Sequence, residues 1–278
     1  MESAKKYSAR LFSLEVLGIL VALLFLVPFY FVLANSFKTF PELAMSTAKL
    51  PKTLFLGNYE KVWTIMKFPK AFWNSLFVTV LSNVGLVIIS SMASYRMVRK
   101  PTKFNNLVFL GFVAAMVIPF QSIMIPLVKV MSSINFMDSK LGLIGSYFGF
   151  GVSLNVFLYH GFIKSIPLEI EESATVDGSS SYGVFWKIVF PLLKPMTITI
   201  IILNSLWIWN DYLLPSLVLS SPELRTIPLA TYSFFGQYTK QWDLALAGLT
   251  LSVLPIVIFF LALQRHIVEG ITAGSVKG

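Results

Sequence analysis

The sequence has no cysteine and little charge. Asp, Glu, Lys and Arg together make up only 13% of its 278 residues, about half of the share that soluble globular proteins carry. The absence of cysteine excludes a disulfide framework, and a hydrophobic content of 56% excludes an intrinsically disordered chain. The charged residues are too few to cover the surface of a soluble protein of this length. The composition therefore predicts a membrane protein.

Acidic residues are the scarcer of the two charged classes, and the chain carries a formal net charge of +9. A basic protein can bind nucleic acid when its Lys and Arg residues cluster against phosphates. Here the 22 basic residues are spread between apolar runs, as expected where cations flank membrane spans and set their orientation. We therefore predict contact with a lipid bilayer and no nucleic-acid partner.

Long stretches without any charged residue locate the membrane spans. A charged side chain at the middle of a bilayer costs about 2.5–3.5 kcal/mol, and a helix needs about 20 residues to cross the hydrocarbon core. The sequence predicts six transmembrane helices, at about 16–37, 71–95, 104–128, 141–163, 195–219 and 244–264. The fifth reaches this length only if Asp211 lies at or near an interface. The predicted fold is an all-α membrane protein in which residues 1–278 form a single transmembrane domain.

The first apolar run could also belong to a signal peptide, because Lys5, Lys6 and Arg10 precede it. The apolar region of a signal peptide has about 7–15 residues and is followed by a small-x-small cleavage site. The run here is longer, from Val16 to Phe37. Its length favours a retained transmembrane helix.

Short basic loops indicate which side of the membrane is cytoplasmic. Arg96, Arg99, Lys100 and Lys103 crowd the turn between the second and third spans, and no acidic residue is nearby. This turn is predicted to be cytoplasmic, although the loop on the opposite side, at 38–70, is also basic. With six spans, both termini, the loop at 164–194 and the tail at 265–278 then share the cytoplasmic side.

The loop at 164–194 has the pattern of two short helices joined by a turn. Ser165 is a candidate N-cap with Pro167 near the first turn, and the acidic residues that follow suit the positive end of a helix dipole. Gly178 suits a left-handed turn. The candidate caps of the second helix are Ser179, Ser180 and Ser181. Its apolar stripe consists of Phe185, Ile188 and Val189, and Pro191 is predicted to end it. Such a pair of helices can dock into a partner or only pack against the chain's own helix ends, and the pattern leaves both open.

Within this loop, Glu172-Ser173-Ala174 is followed after three residues by Gly178, after nine more by Ile188 and after one more by Phe190-Pro191. The pattern resembles the EAA loop in the membrane subunits of bacterial ABC importers, which is written EAA, three residues, G, nine residues, I, one residue, LP. All the spacings agree. Ser173 replaces the first alanine and Phe190 replaces the leucine, and both replacements keep the small or apolar character.

Other segments extend the resemblance over nearly the whole chain. The C-terminal Thr272-Ala273-Gly274-Ser275-Val276-Lys277-Gly278 is similar to the TAGAVKG tail of MalG-type carbohydrate permeases. Phe72-Trp73-Asn74-Ser75 before the second span and Trp209-Asn210-Asp211 in the fifth are also similar to that family. The sequence thus resembles a MalG-type carbohydrate ABC transporter permease, the inner-membrane component of a binding-protein-dependent transport system.

The resemblance implies a division of labour among subunits. Members of this family form half of a heterodimeric channel with a MalF-type permease subunit, two ATPase subunits that bind ATP and Mg²⁺ drive them, and an extracytoplasmic sugar-binding protein delivers substrate. It implies a multi-pass protein of the bacterial plasma (inner) membrane, with a di- or oligosaccharide as substrate. The chain has no G-x-x-x-x-G-K-[ST] loop, and His160 and His266 are isolated. We expect no catalytic site, metal or cofactor in this chain, which is predicted to be a transporter subunit and not an enzyme.

The resemblance also implies roles for individual residues. The EAA-like loop would couple the permease to the ATPase, with Glu172 making polar contacts, Ala174 allowing close approach and Gly178 turning the chain. The predicted coupling residues are Glu172, Ser173, Ala174, Asp177, Gly178, Ile188 and Pro191. In the tail, Ser275, Val276 and Lys277 would lie along the ATPase interface.

Polar residues inside apolar spans are candidates for the translocation path, because an unpaired polar group in hydrocarbon is costly. The predicted path residues are Gln121, Asn155, Tyr159, Trp207, Asn210 and Asp211. Amides, carboxylates and an aromatic face suit a sugar, and the fifth span combines all three. Hydrogen bonding between helices is the simpler explanation for any one of these residues.

Two other functions compete with an importer subunit. An ion-coupled secondary carrier can also have six spans, but it needs ionisable residues in the middle of the membrane, and the six apolar runs contain them only at their ends. A membrane scaffold without a transport role would not need the EAA-like loop.

Overall fold

The structure is a computed structural model that describes the backbone of residues 9–235 and 241–275, and the side chains of residues 11–235 and 241–262. Every regular element in these ranges is a helix. In chain order the helices are α1 (Ala9–Ser36), α2 (Phe40–Met45), α3 (Gly57–Ile65), α4 (Phe68–Arg99), α5 (Lys103–Ala115), α6 (Phe120–Ser133), α7 (Lys140–Ile163), α8 (Glu169–Val176), α9 (Ser181–Leu192), α10 (Lys194–Asn210), α11 (Leu213–Val218), α12 (Ile227–Tyr232) and α13 (Trp242–Ser275). A short 3₁₀ helix at Pro222–Leu224 lies between α11 and α12.

Several of these helices have the length and composition of membrane spans. Among the described residues, four are long and apolar enough by themselves, namely α1, α4, α7 and the Trp242–Ala262 part of α13. Two further pairs meet the same criterion only together, and each pair is bent, α5 with α6 by 108° and α9 with α10 by 72°. The described chain therefore has four candidate spans, or up to six if each bent pair is one span.

The apolar stretch of the third predicted span is two helices and not one. α5 ends at Ala115, and Pro119 precedes α6 in an extended conformation, with φ −65° and ψ 137°. Proline has no N–H to donate and disfavours a helical residue before it, so it interrupts the helix here. The helix in the fifth predicted span is shorter than expected, since α10 ends at Asn210 and Asp211 is extended, with φ −72° and ψ 127°.

The chain divides into two compact units. Among the described residues, one unit comprises 9–67 with 231–235 and 241–253, and the other comprises 68–230 with 254–275. In the second unit, the most extensive helix packing is between α4 and α7, with α10 packed against α4 and α5 packed against α7. Among the described residues, this unit contains one apolar cluster that includes Leu86 and Tyr147 and another that includes Tyr159 and Val189. The clusters include buried residues of α8, α9, α10 and α11, the helices that carry the candidate sites.

In the first unit, buried polar groups hold the segment that follows α1. Lys38 is fully buried, and its Nζ donates to Asn35 Oδ1 (2.8 Å) and to the Ser46 carbonyl (2.9 Å). Asn58 Nδ2 donates to the carbonyls of Ser36 (3.0 Å) and Lys38 (2.7 Å). A buried ammonium group is costly unless it is hydrogen-bonded, and these contacts fix α3 against the end of α1.

In the second unit, polar side chains join the start of α4 to the segment after α11. Asn74 Nδ2 donates to the carbonyls of Glu223 (2.9 Å) and Arg225 (3.1 Å). Lys70, one turn earlier on α4, forms an ion pair with the Glu223 carboxylate. Lys70 and Asn74 thus hold the loop that contains Glu223 and Arg225 against the start of α4.

Asp138 fixes the turn between α6 and α7 to the same segment. Its Oδ1 accepts hydrogen bonds from the backbone N–H groups of Ser220 (2.9 Å) and Ser221 (2.8 Å), and its Oδ2 accepts one from the Ser221 hydroxyl. The hydroxyl of Ser221, followed by the two backbone donors, favours the charged carboxylate and lowers the pKa of Asp138 below its ordinary value of 3.8.

Candidate functional site

The first candidate region is formed by α8 and α9, the two short helices that the loop pattern predicts. Between them, Gly178 has φ +86°, a left-handed conformation that a side chain disfavours. Ser180 Oγ accepts a hydrogen bond from Gly183 N (3.2 Å) at the start of α9. The predicted left-handed glycine and one of the three predicted serine caps are therefore confirmed.

Two details of this region differ from the prediction. Ser165 does not cap α8, because its hydroxyl donates to the Phe162 carbonyl (2.8 Å) at the end of α7 and Leu168 directly precedes α8. Pro191 lies inside α9, which ends one residue later and bends by 72° into α10. The proline marks a change of helix direction, consistent with its missing N–H.

The inner face of α8 and α9 packs on the rest of the second unit. Ala174 of α8 is buried in one apolar cluster with residues of α4, α7 and α10. The α9 members of that cluster are Val184, Phe185 and Val189, and Ile188 is partly buried against it. Burial of apolar surface holds this face in place. Of the two roles that the sequence pattern allows, the inner face therefore has that of packing against the chain's own helices.

A buried ion pair joins α8 to the end of α4. Arg99 Nε and Nη2 each lie 2.7 Å from Glu171 Oε1, and Tyr95 Oη donates to Glu171 Oε2 (2.8 Å). The Arg99 and Glu171 side chains are only 16% and 7% exposed. Sequence reasoning selected Glu172 as a coupling residue and missed Glu171. Helical spacing could have found it, because Glu171 lies three residues before the buried Ala174 and shares its face.

The outer face of α8 and α9 carries most of the residues that the EAA-like pattern predicts. The exposed members are Glu172, Ser173, Asp177, Gly178 and Pro191. On either side of the turn, Val176 is 87% exposed and Tyr182 is 71% exposed. Large apolar side chains this exposed, with carboxylates nearby, are more common on a surface that binds another protein than on one that faces only water.

The predicted tail contacts fall at the limit of the described residues. The α13 backbone is helical to Ser275, but the side chains after Ala262 are not described. Val276 and Lys277 lie outside the described residues. The role of the tail therefore stays a prediction.

The second candidate region is the break between α10 and α11. Asp211 Oδ1 accepts hydrogen bonds from Leu213 N (2.9 Å) and Leu214 N (3.4 Å), so this carboxylate caps the first turn of α11. Its Oδ2 accepts a hydrogen bond from the Tyr147 hydroxyl (2.9 Å). The ring of Trp207 lies 5.4 Å from the ring of Tyr147, in an edge-to-face arrangement. The break thus brings a carboxylate, a phenol and an indole together.

The accessible part of this region consists of Trp207 and Asn210. Trp207 is 41% exposed, and Asn210 is exposed one turn along the same helix. Tyr147 is fully buried behind them and was not among the predicted residues. Its signal in the sequence is weak, because a tyrosine in an apolar helix looks like an ordinary core residue.

The other predicted path residues lie elsewhere in the second unit. Gln121 is exposed at the start of α6. Asn155 and Tyr159 are buried in α7, and Tyr159 Oη donates to Thr197 Oγ1 (2.9 Å). Tyr159 belongs to the apolar cluster beneath α8 and α9, whereas Tyr147 belongs to the other cluster. The six predicted path residues therefore do not form a single site.

A cavity of about 600 Å³ lies between α4, α10 and the 255–259 part of α13. Its lining is predominantly aromatic and aliphatic. Two of its few polar side chains bind each other, since Asn83 Nδ2 donates to Ser205 Oγ (3.1 Å). A site for a sugar combines apolar walls with several polar groups, so the break, which brings a carboxylate, a phenol and an indole together, fits a sugar better than this predominantly apolar cavity does.

Comparison with known proteins decides the family. Residues 85–273 match the family model described as binding-protein-dependent transport system inner membrane component. The chain belongs to this family. The matched residues include α8, α9 and the break between α10 and α11, so both candidate regions lie within the part that the family shares.

Individual relatives extend the likeness over the whole chain. The chain is 46% identical to the probable starch degradation products transport system permease protein AmyC of Thermoanaerobacterium thermosulfurigenes, over 98% of this chain and 99% of that protein. It is 34% identical to the melibiose/raffinose/stachyose import permease protein MelC of Bacillus subtilis, over 100% of both. A chain in the crystal structure of a bacterial ABC transporter that imports the acidic polysaccharide alginate has a TM-score of 0.78 and 21% identity, over 93% of this chain and 98% of that one. At this identity the structural likeness shows the fold alone.

Family membership settles the class of function. The chain, in which every described regular element is a helix, is a permease component of an inner-membrane ABC transporter. It is not an enzyme, because the ATPase of such a transporter resides in other subunits. The resemblance to carbohydrate ABC permeases that the sequence motifs indicate is confirmed.

Proposed function

We propose that the chain is one of two permease subunits of an ATP-driven importer for a di- or oligosaccharide. The observation that carries the proposal is the end-to-end likeness to permeases named for starch degradation products and for melibiose, raffinose and stachyose. The polar and aromatic groups at the break between α10 and α11 support it, because they are the groups that sugars bind. The substrate class thus follows from the relatives, and the site is consistent with it.

In this proposal α5 and α6 together form one span, and α10 forms another span without α9. The chain then crosses the membrane six times with both termini in the cytoplasm. The basic turn after α4 supports this orientation. The ion pair between Arg99 and Glu171 supports it too, because it holds that turn and α8 at the same end of the second unit. In this arrangement α8 and α9 form a cytoplasmic EAA-type helix-turn-helix.

The outer face of α8 and α9 binds an ATPase subunit in this proposal. Glu172 and Asp177 supply carboxylates to that contact. Ser173 and Gly178 add little bulk near the turn, so that the ATPase subunit can approach closely. The small side chain of Ala174 lets α8 pack closely against the apolar cluster beneath it. Ile188 and Pro191 set the direction of α9 beneath this surface. The tail residues Ser275, Val276 and Lys277 lie along the same interface.

The remaining partners follow from the same assignment. A MalF-type permease subunit completes the channel as a heterodimer, and two ATPase subunits bind ATP and Mg²⁺. An extracytoplasmic sugar-binding protein delivers the substrate, as the description of the family as binding-protein-dependent supports. This chain itself supplies helices and contacts, and its partners supply the energy.

The sugar contacts in this chain are Trp207, Asn210 and Asp211. The exposed indole offers a face to a sugar ring, and the amide and carboxylate offer groups for hydroxyls. Tyr147 holds the carboxylate in place from behind. Of the other predicted positions, Gln121 remains a candidate for the path, and so does Asn155, whose buried Nδ2 has no hydrogen-bond partner among the described residues. We assign Tyr159 to a contact between α7 and α10.

Co-purification tests the proposal. The tagged chain is expressed with its neighbouring genes, isolated in detergent, and assayed for ATP hydrolysis with the sugar-binding protein and a panel of di- and oligosaccharides. We expect a second permease and an ATPase to purify with it, and ATP hydrolysis to rise with one class of sugar. A chain that purifies alone and transports sugar with an ion gradient as its energy source would instead be a secondary carrier.

A further inference from the structure

Glu171 is held by two groups at the end of α4, the Arg99 guanidinium and the Tyr95 hydroxyl. Both guanidinium nitrogens that face Glu171 bind its Oε1, and Arg99 Nη2 also donates to the Ile166 carbonyl (2.9 Å). The second carboxylate oxygen accepts the Tyr95 hydroxyl. The ion pair thus joins three segments, which are α4, the turn before α8, and α8 itself.

Such a pair contributes more to geometry than to stability. A buried ion pair often stabilises a protein no better than apolar residues of the same volume, and the apolar cluster around Ala174 already packs α8 against this unit. The Arg99 guanidinium on Oε1 and the Tyr95 hydroxyl on Oε2, however, hold both carboxylate oxygens through directed hydrogen bonds, which fix the orientation of the carboxylate more narrowly than apolar packing does. Glu171 therefore has a positioning function that the neighbouring apolar contacts do not provide.

We propose that Glu171, Arg99 and Tyr95 lock α8 to the cytoplasmic end of α4, so that α8 and α4 move as one rigid body when the ATPase moves α8. The inference rests on the proposed function and names the residues in this chain that transmit the movement. They are positioning residues, since they contact neither the sugar nor the nucleotide.

The path of the movement follows from the length of α4. This helix has 32 residues and is about 48 Å long at 1.5 Å per residue, enough to cross the membrane. Near its other end, Asn74 holds the loop that contains Glu223 and Arg225. A rotation of α8 at the cytoplasmic end thereby moves α4 through the contacts of Glu171. The other end of α4 then moves the external loop through the contacts of Asn74.

Transport stoichiometry provides the first test. Glu171→Gln removes the charge and keeps the shape, and Glu169→Gln makes the same change at an exposed position of the same helix. In proteoliposomes that hold the complete transporter, we expect Glu171→Gln to lower sugar uptake about tenfold, within the range of a typical coupling between sites, while ATP hydrolysis continues, so that the ATP used per sugar rises. Glu169→Gln should keep the wild-type ratio.

The ratio separates positioning from simple support of the fold, because a destabilised complex loses uptake and ATP hydrolysis together. An unchanged ratio in an assembled Glu171→Gln complex would overturn the inference. If that complex does not assemble, Tyr95→Phe removes only one hydrogen bond, and it should raise the ratio by a smaller amount. A Tyr95→Phe complex with the wild-type ratio would then overturn it.

Rigid-body movement provides the second test. The chain has no native cysteine, so spin labels can be placed at two exposed positions, Lys100→Cys after α4 and Ile170→Cys on α8. In the wild-type background, we expect the distance between the labels to be the same with and without ATP. In the Glu171→Gln background, we expect the distribution of distances to be broader. A shift of one helix turn, about 5 Å, in the wild-type complex would contradict the inference. A wild-type complex without sugar-stimulated ATP hydrolysis would instead count against the proposed function.

Discussion

At the scale of single residues, Gly178 shows how one backbone angle shapes the candidate coupling surface. Its φ of +86° lets the chain reverse within the few residues between α8 and α9. A Cβ at this position would meet no other atom within 4 Å, so the constraint comes from the backbone conformation and not from crowding. The outer face that we assign to the ATPase contact depends on this turn.

Replacing Gly178 tests that dependence. We expect Gly178→Ala to cost about 1–2 kcal/mol, the penalty of a left-handed conformation for a residue with a side chain, and to lower sugar uptake while the protein still reaches the membrane. Gly178→Asp should lose uptake more completely, because it also adds a charge to the contact surface. Gly161→Ala, in an open position of α7 without a positive φ, is the matched control. Normal uptake in both Gly178 variants would contradict a coupling role for the turn.

Asp138 leads to a prediction about pH. Hydrogen bonds from Ser221 and Ser220 lower its pKa in the folded state, so its stabilising effect is complete above the ordinary value of 3.8 and is lost as the pH falls through the lower folded-state pKa. Asp138→Asn should therefore lower the melting temperature of the purified protein at pH 7. The difference between variant and wild type should disappear under more acidic conditions. A difference that stays constant over this range would show that the carboxylate charge is not what holds the turn.

At the scale of elements, the break between α10 and α11 combines a structural and a functional role in one side chain. Asp211 caps α11 through Oδ1 and faces Tyr147 through Oδ2. Trp207 and Asn210, on the exposed side of α10, lie beside this cap. Substitutions that preserve the cap can therefore separate folding from sugar binding.

Asp211→Asn keeps an oxygen that can accept the Leu213 N–H and removes the charge, whereas Asp211→Ala removes both. We expect Asp211→Asn to raise the sugar concentration needed for half-maximal uptake with little change in thermal stability, and Asp211→Ala to lower stability by about 1 kcal/mol as well, the typical value of a lost cap. Trp207→Ala should weaken uptake in the same way. Trp73→Ala, an exposed tryptophan at the start of α4, should not. Equal losses of uptake at Trp207 and Trp73 would contradict a sugar contact at the break.

Local features of these elements could be predicted from the sequence, and distant ones could not. The left-handed Gly178 and the Ser180 cap depend on neighbouring residues, which the pattern contains. The ion pair between Arg99 and Glu171 joins residues 72 positions apart, and no local rule pairs them. A hydropathy run measures apolar content and not direction, so it predicts one span at 104–128 without the angle between α5 and α6, and Pro119 is the local signal of a break there.

At the scale of the whole molecule, the central feature is the orientation in the membrane. The absence of cysteine makes this testable, because the label on this chain reports only the single cysteine that is added at an exposed site. Val176→Cys, on the outer face near Gly178, should be protected from a membrane-impermeant maleimide in intact cells and labelled after lysis. Leu54→Cys, exposed in the segment between α2 and α3, should be labelled in intact cells. The reverse pattern would invert the topology and remove α8 and α9 from the side of the ATPase.

The measurement that tests the account most directly is sugar uptake into proteoliposomes that contain the co-purified transporter, with ATP enclosed in the lumen and the binding protein and labelled oligosaccharide outside. We predict that sugar accumulates only when ATP, the binding protein and this chain are all present. Accumulation without ATP, driven by an ion gradient alone, would contradict the assignment of the chain as an ABC importer permease.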